Sequence, residues 1–257
     1  MLTTLKCLDT MKYIRKQLND GIYLFGWKSD PPLTPVAPSY SYYFTEKRIF
    51  SEEECRSWYD FLLELEPILL DKYRIPAGDA GTGLGPNSLT SRYPYYNVLD
   101  FDFHLIPKLK TEIFNGIKTI LSISNNTKWR ETIHAKSWFN VLRQGEEMAP
   151  HCHGFHEHIF YGFHLTIGSS ETFNTYYHPL TFPFQQDNAF HVPNKVGCLT
   201  LFPDLVPHGV SPNKHSVPRI SIAGDIFTSL MLKTNRLQLD VNNDSDKQMD
   251  TTELGKT

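Results

Sequence analysis

The chain has 257 residues, 40% of them hydrophobic and 13% aromatic, enough for one good core with helical additions. Lys and Arg number 25 against 28 Asp and Glu, a formal charge of -3, which excludes a domain whose main work is gripping nucleic-acid backbone. No segment approaches the roughly 20 apolar residues of a membrane span. Residues 1–19 carry scattered charges rather than the apolar run of a signal peptide. The cysteines Cys7, Cys55, Cys152 and Cys198 show no C-x-x-C spacing, so free thiols in a reducing, cytoplasmic setting are expected.

In chain order, the first 48 residues predict a short helix near Tyr13–Asn19 and then an extended Pro-rich stretch from Asp30 to Pro38. Ser51-Glu52-Glu53-Glu54 has capping-box spacing and opens a helix whose apolar positions are Cys55, Trp58, Tyr59, Leu62 and Leu65. Pro67 is expected to end or kink it. Gly78, Gly81, Gly83, Gly85 and Pro86 predict a loop, because no strand–Gly–helix context of a phosphate-binding turn surrounds them. A second helix is predicted from His104 to Ser122, with Ile106, Leu109, Ile113, Ile117 and Ile120 on one face.

The texture then changes. Ser137–Leu142, Ile159–Ile167, Val196–Phe202 and Arg219–Ile226 are rich in aromatic and β-branched residues and are separated by Gly, Pro and Asn, so they predict strands. Helices followed by many short strands predict an α+β fold, an antiparallel barrel or sandwich braced by N-terminal helices. The expected boundaries are an extended segment and supporting helices over 1–130, a β core over 131–232 and a polar, disordered tail over 233–257, together one structural domain.

Nine of the eleven histidines lie between His151 and His215. In Pro150-His151-Cys152-His153 the two imidazoles stand at i and i+2, a spacing that shares one face of a strand. His208 closes Phe202-Pro203-Asp204-Leu205-Val206-Pro207-His208. Three neutral imidazoles from two distant segments suit Fe(II), Zn or Cu and leave coordination positions open, as a catalytic metal needs. A lone histidine is ordinarily a satisfied core or surface residue, but the H-x-H spacing and the later Pro-His favour ligands. Glu157, four residues after His153, is a candidate for the middle position in its place or in addition. His156 and His158 are expected at the rim, and Cys152 as a small buried hydrophobe. Arg219 stands in the apolar run Pro218–Ala223, where burial demands a partner: a ligand carboxylate, or an acidic side chain elsewhere. Ser221 shares its face.

H-x-H, then Gly197-x4-Phe202-Pro203-x4-His208-x-Val210, then Arg219-x-Ser221, resembles the double-stranded β-helix 2-oxoglutarate/Fe(II)-dependent oxygenases. Trp138, Asn140 and Gly145 match a W-x-N-x4-G segment in one group of that family, and the resemblance covers residues 135–228. A second likeness, to the aspartyl/asparaginyl β-hydroxylases, rests on Pro150-His151, His164-Leu165, and Arg219 followed six residues later by Asp225. The resemblance implies a cupin-like double-stranded β-helix with Fe(II) held by His151, His153 and His208. It implies 2-oxoglutarate with its far carboxylate on Arg219, helped by Ser221, with Asn140 beside it and His164 assisting. It further implies O2 as co-substrate, ascorbate as a stimulant, succinate and CO2 as products, and hydroxylation of a small molecule or peptide. The chain departs from the family at His153, where the pattern usually has Asp or Glu, and this leaves open a three-histidine iron site, a two-histidine site or a different metal.

Two other readings fit the same residues. Gly145, His151, His153 and Glu157 match the first motif of a four-ligand cupin dioxygenase or isomerase, which needs no 2-oxoglutarate; Gly197, Pro203 and His208 match its second, with Leu205 where a glycine is usual. A non-enzymatic barrel sensing a metabolite or metal is the other. Substrate choice is expected from loops 78–96, 154–158 and 171–195; the motifs do not set the oligomeric state.

Overall fold

The capping box forms as its spacing predicts. In the computed structural model, which describes residues 11–18, 21–29, 40–75, 78–79, 81–124, 132–153, 159–168, 174–177, 190–228 and 237–240, the backbone N–H of Glu54 donates to Ser51 Oγ and that of Ser51 to the Glu54 carboxylate. Helix α1 then runs from Glu52 to Lys72. Pro67 does not end it. A proline costs the helix one hydrogen bond and a clash with the preceding turn, but Cys55, Trp58, Leu62 and Leu69 form a buried stripe that spans both sides of Pro67 and outweighs that local cost. Helix α2, Ile106–Ile123, buries Leu109, Ile113, Ile117 and Ile120 as the periodicity predicts.

The segment expected to be helical at Tyr13–Asn19 is instead strand β1, Met11–Gln17. It pairs over seven residues with β2, Tyr23–Ser29, which pairs with β3, Tyr40–Arg48. A helix of under two turns cannot match that ladder. The later strands are β4 (Thr132–Leu142), β5 (Met148–His151), β6 (Ile159–Gly168), β7 (Asn174–Tyr177), β8 (Phe190–Pro193), β9 (Cys198–Pro203), β10 (His208–Val210), β11 (Arg219–Thr228) and β12 (Leu237–Asp240). Strand β12 falls where a disordered tail is expected; it pairs with β4 and so belongs to the sheet. Residues 241–257 lie outside the described residues.

The molecule is mostly β with few helices. One antiparallel sheet has eight strands in the order β1-β2-β3-β9-β6-β11-β4-β12, and the other has four, β5-β10-β7-β8. Strand alternation gives the large sheet two different faces. Phe163, Leu165, Leu199, Leu201, Ile220 and Ile222 form one core with Trp58 and Leu62 of α1 and Leu109 and Ile113 of α2. The intervening residues face the small sheet and lie in rows fixed by register. Lys136, Asp225, Gly162 and Phe202 make one row; Trp138, Ala223, His164 and Thr200 the next; Asn140, Ser221 and Thr166 the third. No helix among the described residues is long and apolar enough to cross a membrane.

The glycine-rich segment is a loop, as predicted, and it has a structural task. Asp79 accepts hydrogen bonds from the N–H groups of Gly81 and Gly85, and both glycines take the positive φ that this turn requires. The loop then lies along the edge of β5, where the Ala149 N–H donates to the Thr82 carbonyl at 2.8 Å.

Exposed Pro67 is a local defect in α1, so Pro67→Ala should stabilise the protein by roughly 2 kcal/mol: about 3 for a mid-helix proline, less the entropy that proline removes from the unfolded chain. A urea denaturation midpoint above wild type would show it.

Candidate metal centre

His151 is the last residue of β5, and the pairing of β5 with β10 sets it opposite His208. On the other side His208 faces Tyr177 of β7, so the three side chains form one row across the small sheet. His153 lies just past the end of β5, its N–H donating to the Asp204 carbonyl at 3.3 Å. The rings of His151 and His208 are 4.5 Å apart, those of His153 and His208 4.8 Å, and those of His151 and His153 5.4 Å. One ligand atom from each lies within 4.8 Å of the others.

All three rings are held from behind by the same nitrogen. His151 Nδ1 donates to the Ala149 carbonyl at 2.8 Å, His208 Nδ1 to the Val206 carbonyl at 3.0 Å, and His153 Nδ1 to Asp225 Oδ1 at 2.6 Å. An imidazole whose Nδ1–H is given to an oxygen presents a bare Nε2 lone pair. Burial keeps His151 and His208 neutral: it pushes His151 down to about 4, with the neighbouring His153 adding to it, and takes His208 well below the ordinary histidine range. The donor set therefore fits a borderline divalent ion such as Fe(II). His208 is the most buried of the three. Trp138 and Phe202 wall the site, their rings 5.5 and 6.0 Å from that of His153.

A second polar group lies on the same inner face. Arg219 is 1% exposed, and burial lowers its pKa to about 10. The Tyr177 hydroxyl and His164 Nδ1 share a hydrogen bond of 2.8 Å. Burial first, and then the charge of Arg219, push His164 down to about 3. Burial also holds Tyr177 well above its usual range, so both stay uncharged. Ser221 stands across from Asn140 on β4 and Thr166 on β6, and Asn140 Oδ1 accepts from the Thr90 hydroxyl at 2.7 Å.

The structure thus brings His151, His153 and His208 together and sets Arg219, Ser221, Asn140 and His164 on the sheet face that looks toward them. Glu157, His156 and His158 lie outside the described residues. Asp225, Tyr177, Phe202 and Gly162 join the site without a role that the motifs assign. Asp225 is within reach of the sequence pattern, since Arg219, Ser221, Ala223 and Asp225 are successive residues on one face of β11. Tyr177 is not, because the register of β7 against β10 has no local sequence signal.

No family model matches this sequence, and no curated protein matches it. Among solved structures, the chain is similar to a Pseudomonas putida prolyl-4-hydroxylase at 13% identity and TM-score 0.45, covering 72% of this chain and 91% of that one. It is similar to the non-heme α-ketoglutarate-dependent carbocyclase SnoK of nogalamycin biosynthesis at 12% identity and TM-score 0.45, covering 72% and 79%. It is also similar to the apo form of the non-heme monooxygenase ThoJ at 12% identity and TM-score 0.46, covering 70% and 72%. At these scores the functional reading rests on the site itself.

The neutral imidazoles give the metal-free protein a signed pH dependence. An unfolded histidine takes up its proton near pH 6.5, whereas folded His151 and His164 do so only near 4 and 3. Between those values the unfolded chain binds more protons, so stability falls as pH drops from about 6.5 toward 4. Urea denaturation of the metal-free protein at pH 7 and pH 5 should give the lower midpoint at pH 5, and an unchanged midpoint would refute it.

Proposed function

We propose that this chain is an Fe(II)- and 2-oxoglutarate-dependent oxygenase whose two sheets are the halves of a double-stranded β-helix, and that it hydroxylates a small molecule or peptide. One observation carries the reading: three imidazoles with their Nδ1 atoms engaged and their Nε2 atoms free stand beside a sheet face that also carries a buried arginine. His151, His153 and His208 would hold the iron. Bound iron with O2 and 2-oxoglutarate supplies oxidative decarboxylation to succinate and CO2, and with it the power to oxidise an unactivated C–H bond.

The chain's own residues do the rest. Arg219 binds the far carboxylate of 2-oxoglutarate, since a guanidinium offers that group two parallel hydrogen bonds. Ser221 adds a hydroxyl from the same face, and the Tyr177–His164 pair gives the pocket neutral polar lining. Asn140 acts by fixing the wall of that pocket to the turn at Thr90. Trp138 and Phe202 exclude water from the metal side. A dioxygenase that binds its substrate directly on a three-histidine metal, without 2-oxoglutarate, is the second reading; the absence of a carboxylate from the three-histidine set favours it, while Arg219 and Ser221 speak for the co-substrate.

Anaerobically iron-loaded protein given 2-oxoglutarate should form succinate on exposure to air. His208→Ala should bring turnover to background. Arg219→Ala should weaken 2-oxoglutarate binding roughly tenfold to hundredfold, as loss of charge-assisted hydrogen bonds worth about 1.5–3 kcal/mol implies. Metal binding without any succinate would favour the second reading.

A further inference from the structure

The geometry points to Asp225 as the positioning residue of the metal centre, supplying through His153 a negative charge that the three histidines, the ligand cluster found among the described residues, do not carry. The inference rests on the proposed iron site and deepens it. A dication on three neutral imidazoles keeps its full charge in a site partly removed from water, a costly arrangement. Asp225 meets that charge at one remove. Its Oδ1 lies 2.6 Å from His153 Nδ1, and both side chains are largely buried, at 11% and 8% exposure. A carboxylate behind a ligating imidazole fixes its tautomer, raises its basicity and lowers the net charge of the assembly. His151 and His208 have only carbonyl oxygens in that position, so among the three rings the charged support is specific to His153.

A further feature shows how the fold accommodates the contact. Asp225 pairs on one side with Lys136 of β4, whose Nζ donates to the Pro94 carbonyl at 2.8 Å. On the other side Asp225 faces Gly162 of β6. A Cβ at Gly162 would stand 2.9 Å from two atoms of the Phe202 ring and 3.4 Å from His153 Nδ1. The missing side chain leaves the room in which the His153 ring lies back against the sheet to meet Asp225. Register therefore places acid, gap and aromatic wall side by side: Asp225, Gly162, Phe202.

The test is Fe(II) affinity, measured anaerobically by competition with a chromophoric chelator, and the Co(II) ligand-field spectrum, for wild type, Asp225→Asn, Asp225→Ala, Gly162→Ala and His208→Ala. Asp225→Asn keeps the shape and an acceptor for Nδ1 but removes the charge; Asp225→Ala removes both. Affinity should fall about 10–100-fold in Asp225→Ala, by a smaller factor in Asp225→Asn, and also in Gly162→Ala, with altered Co(II) spectra and near-native melting for Asp225→Asn. Gly162→Ala leaves Asp225 intact, so it decides the matter if the Asp225 variants do not fold. Wild-type affinity and spectrum in the folded Asp225 and Gly162 variants, with binding lost in His208→Ala, would overturn this inference and leave the iron site standing. Absence of binding in the wild type would overturn both.

Discussion

Three imidazoles can serve one cation only if each turns an unprotonated nitrogen toward it. Here that condition comes from the backbone as much as from the side chains. Two of the Nδ1 atoms are tied to carbonyl groups two residues earlier in their own segments, at Ala149 and Val206, and the third is tied to Asp225 across the interior. At His151 and His208 burial removes the proton that would otherwise compete with a metal. What remains of the architecture holds two small pieces of sheet, β5 and β10, against the face of a much larger one.

That larger sheet works as a two-sided plate. Its outer residues are almost wholly apolar and close on α1 and α2, so the cost of ordering the chain is offset on that side. Its inner residues include Arg219, Ser221, Asn140, Thr166, His164 and Asp225, a polar set that the apolar side must support. The row order gives the interior a direction: the arginine opens β11 and the acid that backs His153 lies six residues further along it, with His164 on β6 between them. A metal and an elongated anionic co-substrate would use that direction from end to end.

Much of this was legible in the sequence because it depends on short-range periodicity. The capping box at Ser51, the stripe from Leu109 to Ile120, and the alternation that puts Arg219 and Ser221 on one face are all local patterns. The H-x-H spacing was informative for a slightly different reason than strand alternation, since β5 ends at His151 and His153 reaches the site from beyond it. What stayed hidden depends on pairing between distant segments. Strand β1 reads as helix until β2 is beside it, β12 reads as tail until β4 is, and Tyr177 gains meaning only opposite His208. Gly162 is the clearest case: a glycine in a strand is unremarkable until register sets it between Asp225 and Phe202.

On the proposed function, the three-histidine cluster and Arg219 together would hold iron and 2-oxoglutarate. The most direct measurement is the optical spectrum of anaerobic Fe(II)-loaded protein titrated with 2-oxoglutarate, looking for the visible charge-transfer band that arises when the keto acid chelates the iron. The wild type should develop a saturable band, His208→Ala none, and Arg219→Ala a band that needs much more 2-oxoglutarate. Iron-loaded wild type that develops no band at any concentration would contradict the proposed function.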